Sequence, residues 1–222
     1  WNKALTDINL EDFKGWDCWA GLDLSSKNDI TALVLVFYNQ FTEEFFVYPF
    51  LFTPHDSAEE RGERDKYDYL KYINEGHLIS TNGRYVNFEE VLEKLYELDI
   101  EVNIKQIGFD RWGSPTIINR LEQKWDVIDV SQSVGTMSPV INDFENLLID
   151  GKIKIANNEV FTHMAKKVTA VITDGGIRYS KTKSEFKIDG VIAMLMALIL
   201  AIEENGIPTY NAVEKLEEED WG

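Results

Sequence analysis

The chain has 222 residues, enough for one generous domain with a full hydrophobic core. Its hydrophobic content of 44% excludes a disordered chain, and its longest apolar run, 191–202, is too short to cross a bilayer. The net charge of −17 argues against a general nucleic-acid coat. The single cysteine, Cys18, has no partner for an internal disulfide, and a buried thiol suits a reducing compartment.

Charge is unevenly distributed along the chain. Residues 150–189 contain eight lysines and arginines and five aspartates and glutamates, so this stretch is locally positive. An ordinary solvated surface is the alternative explanation. If the function involves a polyanion, this stretch is where we expect it to bind.

The first third of the chain is predicted to begin with a connector and continue with strands. Residues 1–15 have the pattern of a connector with a short helical turn. Three strands, rich in Val, Leu, Phe and Tyr, are then predicted at 18–22, 31–37 and 44–51. The short connections between these strands favour antiparallel pairing.

The middle of the chain alternates helices with turns and strands. A charged helix is predicted over 58–75, and Asn82-Gly83 indicates the tight turn of a small hairpin. Asn87 is predicted to cap a helix that runs to about Leu98. Strand 104–109 follows, and Ser114-Pro115 has the pattern of another helix start.

The last third ends in a long apolar helix. A short strand is predicted at 127–130, and Ser138-Pro139 is predicted to start a helix that ends at Gly151. The remaining predicted elements are a strand at 152–155, a hairpin formed by 168–173 and 177–180, a basic loop at 181–187 and the apolar helix from Val191. Three antiparallel strands followed by alternating helices and strands predict a mixed α/β fold.

Three aspartates interrupt the apolar pattern where elements meet solvent. Asp23 closes the first predicted strand, Asp110 closes strand 104–109, and Asp189 opens the last helix. If they converge on one edge of the sheet, they repel one another unless divalent cations neutralise them. Such a cluster is the arrangement of a two-metal site that cleaves phosphodiesters. Taken singly, each acid also has an ordinary explanation in turn chemistry or the helix dipole.

Polar residues near these acids are candidate accessory groups. Ser25 and Ser26 are candidates to position a phosphate or a metal-bound water, and Arg111 to contact a phosphate, although a surface salt bridge is the alternative for Arg111. The basic loop adds further candidate DNA contacts at Lys181, Lys183 and Lys187.

Three motifs together match a known pattern. They are Gly-Leu-Asp-Leu-Ser-Ser at 21–26, Ile-Gly-Phe-Asp at 107–110 and Lys-Ile-Asp-Gly-Val-Ile-Ala-Met at 187–194, and Gln132 also matches. On these motifs the chain resembles, over about 17–202, the C-terminal nuclease domain of the large terminase subunit of tailed bacteriophages. The resemblance implies a ribonuclease H-like mixed sheet, three antiparallel strands and then parallel ones, flanked by helices and carrying an extra β-hairpin before the last helix. In that layout the first strand is central, so Asp23 and Asp110 are expected to be neighbours.

The resemblance also implies a function. It is that of an endonuclease that cuts concatemeric viral DNA during genome packaging, with two Mg²⁺ or Mn²⁺ ions held by Asp23, Asp110 and Asp189. The implied partners are sequence-nonspecific double-stranded DNA, the terminase ATPase domain, the small terminase subunit and the portal, with no membrane, in the cytoplasm of the infected bacterial host. No Gly-x-x-x-x-Gly-Lys-Ser/Thr segment is present in the sequence.

The expected organisation is an interdomain remnant at 1–15, the nuclease domain at 16–206 and an acidic tail at 207–222. Three alternatives stay open at this point. One is another ribonuclease H-like nuclease, such as a junction resolvase or a transposase core. The others are an actin-like ATPase and a catalytically dead motor scaffold.

Overall fold

The structure, a computed structural model, describes residues 1–24, 30–110 and 115–207, without the side chains of 115 and 116. The strands within these residues are β1 (Leu5–Thr6), β2 (Asp17–Asp23), β3 (Thr31–Asn39), β4 (Glu44–Pro54), β5 (Ile79–Thr81), β6 (Asn103–Phe109), β7 (Asp126–Asp129), β8 (Ile153–Ala156), β9 (Ala170–Thr173) and β10 (Gly176–Tyr179). The helices are α1 (Ala58–Asp65), α2 (Tyr69–Asn74), α3 (Phe88–Glu101), α4 (Pro115–Leu121), α5 (Val134–Ile149), α6 (Glu159–Lys166) and α7 (Asp189–Glu204), with a 3₁₀ helix at Leu10–Phe13.

One mixed sheet organises the molecule, in the order β1-β8-β4-β3-β2-β6-β7, with β5 beside β4. The strands β2, β3 and β4 pair antiparallel, whereas β6 and β7 continue from β2 in parallel. The strand β2 is therefore central, as predicted, and its carboxyl end lies beside that of β6. Helices flank the sheet, and β9 and β10 form a separate hairpin before α7. The predicted fold class is confirmed.

The last helix forms the centre of one core layer. Thirteen of the sixteen residues of α7 are buried, because the helix packs between β2, β3 and β6 on one side and α5 and α6 on the other. Burial on all sides explains why its sequence is apolar around the whole helix. No helix among the described residues is long and apolar enough to span a membrane.

Two glycines allow α7 to lie directly on the sheet. Gly21 of β2 pairs in register with Gly108 of β6, and both face the helix. A Cβ atom on Gly21 would be 1.8 Å from the carbonyl oxygen of Ala193, and one on Gly108 would be 3.1 Å from that of Met196. Because Ala193 lies one helical turn after Asp189, this contact brings the first turn of α7 to the edge where β2 ends.

Residues 1–15 pack against the sheet. The strand β1 pairs in parallel with β8, and the buried ring of Phe13 stacks on Phe37 with centroids 4.3 Å apart. The expected short helical turn is present at Leu10–Phe13. The division into a remnant, a nuclease domain and a tail stays a prediction, and residues 208–222 of the acidic tail lie outside the described residues.

Two predictions for the region before α3 were wrong. The helix predicted over 58–75 is two helices, because Lys66 adopts a left-handed conformation (φ 52°) that ends α1, and Asp68 then caps α2. The hairpin predicted at Asn82-Gly83 is absent, because β5 pairs in parallel with β4 and the chain then turns into α3.

The start of α5 also differs from the prediction. The helix begins at Val134, because the hydroxyl of Ser133 accepts a hydrogen bond from the backbone N–H of Thr136 and caps it. Pro139 lies inside the helix, which lacks one backbone hydrogen bond there because proline has no N–H. The hydroxyl of Ser138 instead accepts the backbone N–H of Ile177 at 3.0 Å, which ties α5 to the hairpin.

Candidate active site

Two of the three predicted acids are brought together by strand register. Leu22 of β2 pairs with Phe109 of β6, so Asp23 and Asp110 follow at the same carboxyl edge of neighbouring parallel strands. The carboxylate of Asp110 is close enough to raise the pKa of Asp23. The neighbourhood expected from the sequence is therefore present.

The third acid reaches this edge from the helix. Asp189 is the first residue of α7, and only 4% of its surface is exposed, as against 5% for Asp23. Its position at the helix start favours a carboxylate electrostatically. Burial of two carboxylates side by side is unfavourable unless a cation neutralises them, so the charged groups around Asp23 and Asp189 determine their ionisation.

The ammonium group of Lys181 brings a cation to two of these acids. It forms ion pairs with Asp23 and with Asp189, the latter at 3.0 Å. Because each carboxylate lies within hydrogen-bond reach of one nitrogen, their nearest oxygens are no more than about 6 Å apart. The lysine side chain itself is 38% exposed. The structure thus gathers Asp23, Asp110, Asp189 and Lys181.

The charged groups at this edge shift the pKa values of Asp23 and Lys181. Burial raises the pKa of Asp23 to about 7; Lys181 opposes that rise, while Asp189 and Asp110 add to it. Burial would lower the pKa of Lys181, but the two carboxylates outweigh burial and raise it. The ionisation of Asp23 and of Lys181 is therefore set by burial together with the charges of their neighbours at this edge.

The donor set suits Mg²⁺ or Mn²⁺, because both prefer carboxylate oxygens. The ammonium of Lys181 shows that a cation is held between Asp23 and Asp189. Asp23, Asp110 and Asp189 are not among the groups of described residues whose ligand atoms all lie within 4.8 Å of one another. One ion alone therefore would not contact all three carboxylates as they stand.

A more compact ligand group lies elsewhere on the described surface. Ligand atoms of Glu75, His77 and Glu159 all lie within 4.8 Å of one another. The ammonium of Lys71 is 3.7 Å from the carboxylate of Glu75 and 4.0 Å from that of Glu159, so a lysine already balances these two acids. Both acids are exposed, in contrast to Asp23 and Asp189.

Two clefts meet at Lys181. Gln132, Arg178 and Thr182 line one cleft together with Lys181. The other is lined by Arg64, Lys187 and Asp189, again with Lys181. Basic side chains therefore line both clefts, and two of them, Arg64 and Lys187, form ion pairs with Asp65.

The remaining predicted accessory residues have different outcomes. Ser25, Ser26 and Arg111 lie outside the described residues. Lys183 is exposed on the loop before α7. Lys187 forms an ion pair with Asp65 at 3.1 Å and its side chain is only 12% exposed, an arrangement that ties the start of α7 to α1.

Asp65 and Arg64 are neighbours of the site that the sequence did not reveal. Burial would raise the pKa of Asp65, but hydrogen bonds from Arg64 and Tyr69 and the charge of Lys187 lower it. No motif marked either residue, because both lay inside one uniformly charged predicted helix. Gln132 is the cleft residue that the motif match did include.

Much of the locally positive stretch is balanced by acids. Ion pairs join Lys152 to the exposed Glu43 and Lys154 to the half-buried Glu44. Lys167 pairs with Glu185 in the same way. The cationic groups that bear on the site are therefore those of the two clefts rather than the whole stretch.

Acids gathered at the carboxyl edge of a mixed sheet are the arrangement expected of a nuclease that uses divalent metal ions, and comparisons with known proteins give the family. A model of the family "Terminase large subunit, endonuclease domain" matches residues 1–205. The large terminase subunit of Enterobacteria phage HK97 is 31% identical over 189 residues, which are 81% of this chain and 36% of that protein. The chain belongs to the family of terminase large subunit endonuclease domains.

Solved structures show the same fold. The HK97 large terminase superimposes with a TM-score of 0.74 and 27% identity, over 88% of this chain and 40% of that one. The magnesium-bound large terminase nuclease of thermophilic phage G20c gives a TM-score of 0.52 at 12% identity, over 83% of this chain and 81% of that one. The chain spans between 36% and 45% of the length of the curated relatives it matches.

Proposed function

We propose that the chain is a metal-dependent DNA endonuclease that cuts concatemeric viral DNA during genome packaging. The observation that carries this proposal is that Asp23 and Asp189 are buried together on the ammonium group of Lys181, beside Asp110 on the neighbouring strand, at the carboxyl edge of the sheet. Family membership supports the proposal. The large terminase nuclease of phage G20c was solved with bound magnesium, which supports Mg²⁺ as a candidate metal ion. Membership of this family favours the terminase function over the alternatives of a junction resolvase, a transposase core and an actin-like ATPase.

The three acids have the role of holding divalent cations. Two Mg²⁺ or Mn²⁺ ions, when bound, supply an activated water and stabilise the leaving oxygen of a phosphodiester. Asp23 lies on the central strand and Asp110 on its neighbour, so both are held on rigid elements. Asp189 is fixed by the packing of α7 on Gly21, and the near-complete burial of Asp23 and Asp189 limits their contact with water.

Binding of double-stranded DNA is proposed to be weak and indifferent to sequence. One cleft offers Arg178 as a phosphate contact, and the net charge of −17 opposes tight association. We therefore infer that the terminase ATPase domain, the small subunit and the portal hold DNA near this site, in the cytoplasm of the infected host.

Plasmid cleavage tests the proposal. Supercoiled plasmid incubated with the protein is expected to become nicked and linear in the presence of Mn²⁺ and to stay intact in EDTA. A parallel reaction with a four-way junction separates this function from that of a resolvase. Preferential cutting of the junction, or tight binding to one sequence, would contradict the proposal.

Metal binding is expected to depend on pH through Asp23. Because burial raises the pKa of Asp23 to about 7, a proton competes with the metal below that pH, and Mn²⁺ affinity rises as pH rises. We expect affinity to be about tenfold weaker near pH 6 than near pH 8, since roughly one carboxylate in ten is ionised one unit below its pKa. Calorimetric titration of Mn²⁺ across this range measures the effect, and a flat profile would contradict it.

A further inference from the structure

The ammonium group of Lys181 occupies the position between the two most buried acids of the site. It contacts an oxygen of Asp23 and, at 3.0 Å, an oxygen of Asp189. A divalent cation shared by these two acids would need the same oxygens. Lysine and metal are therefore competitors for one place.

The side chain of Lys181 is built to leave without disturbing the fold. It is 38% exposed, whereas the side chains of both its partners are 6% exposed. A lysine stem that is open to solvent rotates freely once its head group is released. Departure of the ammonium thus requires rotation of one side chain and no repacking of the core.

The backbone around Lys181 is held in place independently of its side chain. The buried Ser180 carbonyl accepts bonds from the N–H and the hydroxyl of Ser184, the latter at 2.6 Å. The hydroxyl of Ser180 accepts the N–H of Lys183, and Thr169 donates to Ser184 and to the carbonyl of Lys183. The turn keeps the lysine tethered beside the site.

The charges of the two acids and the two cations couple departure of the Lys181 ammonium to arrival of a divalent ion. If the ammonium left alone, the buried carboxylates of Asp23 and Asp189 would lose the cation that they share, which is costly. If a divalent ion arrived while the ammonium stayed, the two cations would repel each other. Exchange of one for the other keeps a shared cation between these two carboxylates.

We propose that Lys181 is a tethered placeholder cation, which neutralises Asp23 and Asp189 in the metal-free protein and is displaced when a divalent ion binds. This inference rests on the proposed function, because it presumes that these acids bind metal. In this role Lys181 stabilises the metal-free fold and lowers the affinity of the site for metal.

The Lys181→Met variant tests the proposal, with Lys183→Met, an exposed lysine of the same loop, as the matched control. In calorimetry the Lys181→Met variant is expected to bind Mn²⁺ on the order of tenfold more tightly than the parent, since the competitor is gone. In EDTA it is expected to melt at a lower temperature than the parent, and Mn²⁺ is expected to raise its melting temperature by more. Lys183→Met is expected to match the parent in both measurements.

A second measurement on the parent protein covers the case in which Lys181→Met fails to fold. Lysines carrying ¹³C-methyl groups, introduced by reductive methylation, keep their charge and report their surroundings by NMR. The Lys181→Arg variant identifies the Lys181 signal by its absence. Saturating Mg²⁺ is expected to move that signal to the position of a solvated lysine.

Two results would overturn the placeholder role. One is Mn²⁺ affinity in Lys181→Met equal to or weaker than that of the parent, in a parent whose Mn²⁺ binding is lost in Asp189→Asn. The other is a Lys181 signal that does not move under saturating Mg²⁺. Both leave the proposed function standing, whereas a parent that binds no Mn²⁺ at all removes both proposals.

Discussion

Replacing Asp189 by asparagine is expected to reduce Mn²⁺-dependent plasmid cleavage by about a thousandfold or more while the protein stays folded. Asparagine has the same size but no charge, so the metal loses an anionic ligand and transition-state stabilisation falls by roughly 4 kcal/mol. The same result is expected for Asp23→Asn. Initial rates of plasmid nicking, with circular dichroism to verify folding, measure the effect.

Asp17→Asn is the matched control for these variants. Asp17 is an exposed acid at the opposite end of the same central strand, where it faces Lys105 and Asn103. Its replacement removes one negative charge from the same strand but leaves the candidate site intact, so cleavage at the parental rate is expected. Undiminished cleavage by Asp189→Asn would show that this acid does not hold the metal.

Replacing Gly21 by alanine is expected to destabilise the protein by about 3 kcal/mol or more. The added methyl group would meet the carbonyl oxygen of Ala193 at 1.8 Å, so α7 has to move away from β2. Because Asp189 begins that helix, cleavage is expected to fall as well. Urea denaturation and the plasmid assay measure the two effects.

Two other glycines calibrate this result. Gly108→Ala is expected to cost less, because its methyl group would lie 3.1 Å from the carbonyl oxygen of Met196. Gly135→Ala, in α5 with nothing within 4 Å, is expected to stabilise the protein by up to about 1 kcal/mol through helix propensity. A Gly21→Ala variant as stable as the parent would show that the close packing of α7 is not required.

The positions of the three acids on their strands and helix could be predicted from the sequence, because the signals for them are local. An acid at the end of an apolar strand and another before an apolar helix are visible in short segments, and the strand order then placed Asp23 beside Asp110. The glycines at 21 and 108 were visible too, but their use in packing α7 depends on contacts across the whole fold. The family resemblance rested on the same local motifs and is confirmed.

The side-chain partners were beyond reach of the sequence because they depend on long-range contacts. Lys181 and Lys187 were both expected to face DNA, and the structure pairs the first with Asp23 and Asp189 and the second with Asp65. Asp65, the partner of Lys187, is the last residue of α1, which ends because Lys66 adopts a left-handed conformation. Since Lys66 is not a glycine, the sequence did not indicate this helix end. The parallel pairing of β5 with β4 is likewise set by tertiary contacts rather than by the local turn signal at Asn82-Gly83.

The location of bound Mn²⁺ tests the central claim most directly. Anomalous diffraction from crystals soaked in Mn²⁺ is expected to show the ion signal at Asp23, Asp110 and Asp189. Signal confined to the exposed group of Glu75, His77 and Glu159, with none at the three aspartates, would contradict the account.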